Sequence, residues 1–283
     1  MQYHPTQKIA KEHEHLFSNA ILESLTHPQS MVGTLPNSSC FEVSSLANSP
    51  NTRLLRFNQK LGHLYEDALF SLLEAGTRFK CVAKNYQIIT PEKRTIGELD
   101  FILLDTLKQQ YIHLELAVKF YLIQHSEGSF YYPGPDARDN YQRKVTRLND
   151  HQLTLSNRPE AAEFLAKLTG GGPLEVKHLV HGIFFDHITA KQKPIPECAS
   201  PQSRRRSWLY CSELLQHHPE IETARVLPKQ LWLCEIDAII FDTLVVIPAS
   251  ELIELGQKRC TMFVIHVGDE PKFLVPNNWP SIN

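Results

Sequence analysis

Glu66, Asp100, Glu115 and Lys119 are the residues of this sequence whose types and spacing could do chemistry together. Glu66 lies at the flank of the apolar stripe of a helical segment. Asp100 lies in Gly97-Glu98-Leu99-Asp100-Phe101, early in a strand-like run. Glu115 lies within His113-Leu114-Glu115-Leu116-Ala117-Val118-Lys119, where alternation puts His113, Glu115, Ala117 and Lys119 on one face. If the two strands are neighbours, Asp100 and Glu115 project together. Adjacent buried carboxylates repel and are costly unless a cation neutralises them. Mg²⁺ accepts one or two carboxylates, keeps several waters and can hold a substrate phosphate. Such an ion polarises a phosphoryl oxygen and lowers the pKa of the attacking water. Each residue alone has a plainer reading. Glu66 would be a solvated helix carboxylate, Asp100 a strand-start cap, and Glu115 with Lys119 an ion pair on a half-exposed sheet. Their joint placement favours a site.

The positioning elements follow from periodicity. Residues 54–75 predict a helix: Leu61, Leu64, Tyr65, Ala68, Leu69, Leu72 and Leu73 keep the 3.6-residue period, and Gly76 suits its exit. Strand-like runs follow at 79–89, 98–104 and 111–122. A helix is expected over about 136–155 and more helical sequence over 159–168. Gly170-Gly171-Gly172-Pro173 then turns into a fourth strand, 178–185. Three consecutive strands with short links suggest an antiparallel meander, and a helical crossover adds the fourth. The expected class is α/β (α+β): a mixed four-stranded core sheet in α-β-β-β-α-β order with flanking helices and a C-terminal α+β extension. The divisions are residues 1–53 (a helix over 8–25 and a polar linker), 54–186 (the core) and 187–283 (the extension). In the extension, 187–206 reads as a loop, 208–217 as helical, and 224–233 and 262–267 as extended. No GxGxxG follows a strand and no GxxxxGK[ST] occurs, which excludes the common nucleotide-binding loops.

Glu66 on a helix, then GELDF, then a strand with Glu115 and a nearby lysine resembles the PD-(D/E)XK restriction-endonuclease-like superfamily, whose core has the same α-β-β-β-α-β order. More closely, the chain resembles the bacterial domain-of-unknown-function family 1853. That likeness rests on Leu61-Gly62 with Glu66, GELDF, HLELAVKFYL, and the segment from Gly134-Pro135 through Asp139, Lys144 and His151-Gln152-Leu153. The superfamily resemblance implies that Asp100 and Glu115 are the metal-binding carboxylates and that Glu66 supports the metal. It places the lysine two residues after the second carboxylate, where this chain has Ala117. Lys119 lies two positions further on the same face, a shift of roughly 6.6 Å that a lysine side chain partly spans. The implied activity is a Mg²⁺- or Mn²⁺-dependent nuclease acting on DNA or RNA. The alternative is a catalytically inactive nuclease-like module that binds nucleic acid or a protein partner, which Ala117 favours.

Lys144, Arg147 and His151 recur at helical spacing and could guide a phosphate backbone past the acids; an ordinary solvated face fits the same charges. Gln152 and Arg143 are plausible neighbours of the site. His113 shares the face of Glu115, either as an outer partner or as a hydrogen-bonded strand-edge histidine. Phe130, Tyr131 and Tyr132 could stack on bases, though packing against the core is commoner. Arg204-Arg205-Arg206 with Trp208 could clamp nucleic acid, but three basic residues in a loop are usually solvated.

Composition limits the rest. With 283 residues, 42% of them hydrophobic, the chain can build a large core without staples. Lys and Arg number 29 against 31 Asp and Glu, so any polyanion contact needs a local basic patch. The six cysteines include no CxxC pair, and the N-terminus has no apolar signal core. The most apolar stretch, 231–248, is broken by Glu235, Asp237 and Asp242, so no membrane partner is expected and the expected compartment is the cytoplasm.

Overall fold

The computed structural model describes residues 9–46 and 54–280. Helix α1 (Glu14–Leu25) and the two-residue strand β1 (Ser39–Cys40) lead to helix α2 (Leu61–Ala75). The meander β2 (Phe79–Ile89), β3 (Thr95–Asp105) and β4 (Gln110–Leu122) follows, then a small hairpin, β5 (Gln124–Ser126) and β6 (Ser129–Tyr131). Helices α3 (Tyr141–Arg147) and α4 (Pro159–Thr169) cross over to β7 (Leu174–His187). The remainder is β8 (Arg204–Tyr210), α5 (Leu214–His217), β9 (Thr223–Val226), α6 (Ala238–Thr243), β10 (Val245–Pro248), α7 (Ala249–Lys258), β11 (Thr261–Val264) and β12 (Lys272–Val275).

The expected element order is present, but the four strands belong to a wider sheet. Ten strands make one mixed sheet in the order β10-β9-β11-β12-β8-β7-β4-β3-β2, with β1 paired to β7. The four-stranded expectation fell short because β8, read as the end of a loop, pairs in parallel with β7, and β12 pairs in parallel with β8. Arg204 and Arg206 are buried there. Their guanidinium groups donate to Glu235 and to the carbonyls of Leu233, Trp232 and Cys234. Arg205 holds Asp186 at 2.5 and 2.9 Å. Trp208 is buried in a strand, not a helix. These arginines are interior structure, neither solvated nor a nucleic-acid clamp.

The core is built from both faces of the sheet. Helix α2 buries Leu64, Tyr65, Ala68, Leu69, Leu72 and Leu73 against Phe101, Leu103, Ile112 and Leu114. Full burial of each leucine contributes about 1.5–3 kcal/mol. The opposite face is covered in two places: Tyr141, Val145 and Leu148 pack with Tyr121 and Phe184, and Leu155, Ala161 and Leu165 pack with Leu99 and Ile102. Tyr132 belongs to the first group, while Tyr131 is exposed. Strand β4 pairs with β7 in parallel from Tyr111↔Leu174 to Leu122↔Phe185, which fixes the height of every β4 side chain. Gly182 stands opposite Lys119, and a Cβ there would lie 2.2 Å from the Lys119 carbonyl oxygen, so the close approach requires glycine. The described part of the polar stretch, residues 26–46, wraps the sheet: Met31 N–H donates to Val180 O at 2.7 Å, and Met31, Val32 and Leu35 are buried. Residues 47–53 of that stretch lie outside the described residues. Among the described residues, no helix is long and apolar enough to cross a membrane.

Candidate functional site

The β3–β4 ladder ends at Phe101↔Leu114. Beyond it, side chains replace the main-chain bonds. Leu116 N–H donates to Asp100 Oδ2 at 2.9 Å, and Asp100 N–H donates to Glu115 Oε1 at 3.4 Å. The strands therefore fork where the two acids stand, and each carboxylate satisfies a backbone donor the ladder has abandoned. On the other side of Asp100, the β2–β3 register runs from Lys84↔Phe101 to Tyr86↔Leu99. Asn85, between those pairs, takes φ of 52°, in the left-handed region that asparagine tolerates. Its Nδ2 donates to Glu66 Oε2 at 2.6 Å, and His63 Nδ1 lies 3.3 Å from the same oxygen. The sheet thus opens on the β4 side of Asp100, while on the β2 side the register continues past the left-handed Asn85.

Glu115 is almost fully buried and has its own donors. His113 Nε2–H donates to Oε1 at 2.9 Å, and Gln152 Nε2 donates to Oε2 at 2.8 Å. The His113 ring is in turn fixed by the Ser156 hydroxyl, 3.0 Å from Nδ1. Burial, then the charges of Glu115 and Glu66, push the Asp100 carboxyl up to about 8, against the pull of the Leu116 N–H and Lys144. Half-buried Asp100 therefore stands in the repulsive field of the nearly fully buried Glu115.

The lysines divide differently from expectation. Lys119 Nζ is 2.7 Å from Asp139 Oδ2, an ion pair beside the site. Lys144, grouped by sequence with Arg147 and His151 as a phosphate guide, turns inward, and its Nζ donates to Gln152 Oε1 at 2.8 Å. One chain of contacts therefore joins Lys144, Gln152, Glu115, His113 and Ser156. Burial, and next the charge of Lys119, pull the Lys144 ammonium below its ordinary value, while Glu115 and Asp100 hold it up. Arg147 and His151 are exposed on the outer face.

A local helix defect makes this alignment. The segment expected as one helix is α3, capped by the Asn140 side chain, followed by a π turn over Leu148–Gln152 in which Leu153 N–H reaches Leu148 O at 2.9 Å. In an unbroken α-helix, residues eight apart differ by about 80° in direction; one inserted residue brings them to about 20°. The π turn puts Gln152 in line with Lys144. Sequence reasoning named His113 and Gln152 as possible neighbours and missed Asn85 and Ser156. An asparagine inside an otherwise strand-forming run was the signal available for Asn85.

The donor set is oxygen-rich and suits a hard divalent cation, with Asp100 and Glu115 as the two carboxylates that Mg²⁺ tolerates. Among the described residues, no group of three or more His, Cys, Asp and Glu is gathered so as to hold a metal ion, so Glu66 does not form a three-acid cluster with Asp100 and Glu115, and water or substrate oxygens would have to complete a shell around an ion there. A family model described as "Domain of unknown function (DUF1853)" matches residues 2–244. No curated protein and no solved structure matches the chain.

Proposed function

The chain belongs to that DUF1853 family, and from its site we propose a metal-dependent phosphodiesterase of the PD-(D/E)XK type acting on nucleic acid. The observation that carries this reading is the forked pair of half-buried Asp100 and buried Glu115, with the Lys144 amine two hydrogen bonds from Glu115 through Gln152. Asp100 and Glu115 would hold Mg²⁺ or Mn²⁺, with Glu66 supporting from α2. The ion, when bound, supplies charge on the phosphoryl oxygen and a more acidic water. Glu115 is oriented by His113 and Gln152, so its carboxylate needs no rearrangement. Lys144, not the paired Lys119, is the amine placed to steady negative charge on the phosphate. In the reaction a water oxygen bonds to phosphorus, the phosphorus–oxygen ester bond breaks, and the departing oxygen takes a proton to become a hydroxyl. Metal-dependent nicking of plasmid or single-stranded DNA that disappears in Asp100→Ala and Glu115→Ala supports the reading. Variants that cut as well as the parent overturn it.

The second reading, a non-cutting nuclease-like module, draws support from Ala117 and from the protein donors on both Glu115 oxygens. It predicts no heat on titration with Mg²⁺ or Mn²⁺, together with salt-sensitive nucleic-acid binding.

A further inference from the structure

A cleft of about 590 Å³ opens beside the acids, between β4 and the C-terminal segment. Its near wall carries Leu116, whose N–H Asp100 holds, along with Ala117 and Lys144. Gly62 is also on that wall, and a Cβ there would lie 3.8 Å from Glu66 Oε1. The cleft therefore abuts the site through Leu116, Lys144 and Gly62, although none of Glu66, Asp100 and Glu115 lines it. Its far wall comes from outside the nuclease-like core: Lys229, Trp232 and Arg259. Four cations line it against two acids, and both acids are already paired, Asp139 with Lys119 at 2.7 Å and Asp136 with Arg138 at 2.8 Å. Neither Lys229 nor Arg259 has an ion pair among the described residues, and both are exposed. The floor is apolar and aromatic, with Trp232 edge-on to Phe120 at 5.5 Å and Lys229 over the Trp232 ring at 5.6 Å.

We propose that this cleft is the substrate groove, that it takes a single strand of nucleic acid, and that Lys229 and Arg259 grip its phosphates from the C-terminal wall. The proposal rests on the phosphodiesterase reading for what happens at the acids, but not for binding. Two features select a single strand. The volume is that of a small-molecule pocket, too small to admit a duplex. The unpaired cations Lys229 and Arg259 stand on one wall of it, which matches a single phosphate chain.

The test is anisotropy of labelled oligodeoxyuridylate, oligouridylate and a hairpin duplex without divalent metal, across a salt series. The parent should bind a single strand more tightly than the hairpin; whichever oligomer it prefers identifies the sugar. Lys229→Ala with Arg259→Ala, two exposed sites whose loss leaves thermal melting unchanged, should weaken strand binding about tenfold and lower the salt slope by about 1.4. Asp100→Ala should bind at least as tightly as the parent. No strand binding by the parent, equal competition by the hairpin, or a double variant that binds like the parent overturns the groove. Strand binding lost in the double variant, with no cleavage by the parent, would leave the groove standing and remove the catalytic reading.

Discussion

Asp100 is held in a place that favours its neutral form, and that has a measurable cost. Its folded pKa of about 8 lies above the unfolded value, so the folded state retains a proton that the unfolded state releases. Stability from this group is present below the unfolded pKa and is lost as pH rises toward 8. Asp100→Asn keeps an acceptor for the Leu116 N–H and removes the charge. It should raise the melting temperature at pH 8 by about 2–4 °C or more while abolishing cleavage, read by calorimetry and a nicking assay. The two lysines separate at the same scale. Lys144→Met should reduce cleavage by about 10²-fold or more with the fold intact, whereas Lys119→Met, which breaks only an ion pair at the rim, should reduce it less than about tenfold; single-turnover rates distinguish them. The acids were legible in the sequence because alternation in β4 and the GELDF run fix their faces. The contacts of the two lysines were not, since they depend on Asp139 capturing Lys119 and on a helix defect that no residue pattern announces.

At the scale of elements, the π turn and the tight β4–β7 contact set the geometry. Inserting an alanine after Asn149 would add one α-helical step and swing Gln152 about 100° from Lys144 and Glu115. Such a protein should keep its circular dichroism and lose most cleavage, since Glu115 and Lys144 would be uncoupled. Gly182→Ala should destabilise by about 2–4 kcal/mol in urea unfolding, because the clash is with the Lys119 backbone, which cannot rotate away. The meander was readable as strands, β2 to the residue and β3 three residues short at its start, but the fork between Asp100 and Glu115 was not. A strand reading assumes a continuous ladder, and the departure at Leu116 is a side-chain bond formed only in three dimensions.

Across the whole molecule, the sheet is wider than the sequence suggests because its extra strands are held by distant partners. Arg204 and Arg206 look like a solvated run until Glu235 and the carbonyls beside it close around them. The central strand β7 also carries two buried histidines. His181 is pulled down to about 4 by burial, with its Nε2–H donated to Leu25 O, and His178, beside Ser38 and Gly33, is lowered for the same reason. For both, the unfolded chain binds protons more readily. Their stability is complete above about 6.5 and is lost as pH falls toward 4, on the order of 3 kcal/mol for His181. Asp105, held low by Arg78, loses its contribution in the same acidic direction. In an Asp100→Asn background, which removes the opposing gain from Asp100 over the same range, denaturant midpoints should therefore fall between pH 6.5 and 4, and His181→Gln should flatten that decline. A midpoint that rises over this range would contradict it.

In the proposed reading the fork between β3 and β4 is the seat of a divalent ion. Crystals grown with Mn²⁺ and measured at its absorption edge test this directly. The expected result is an anomalous peak in contact with carboxylate oxygens of both Asp100 and Glu115, absent in Asp100→Asn crystals; a fork without a peak at saturating Mn²⁺ would contradict it.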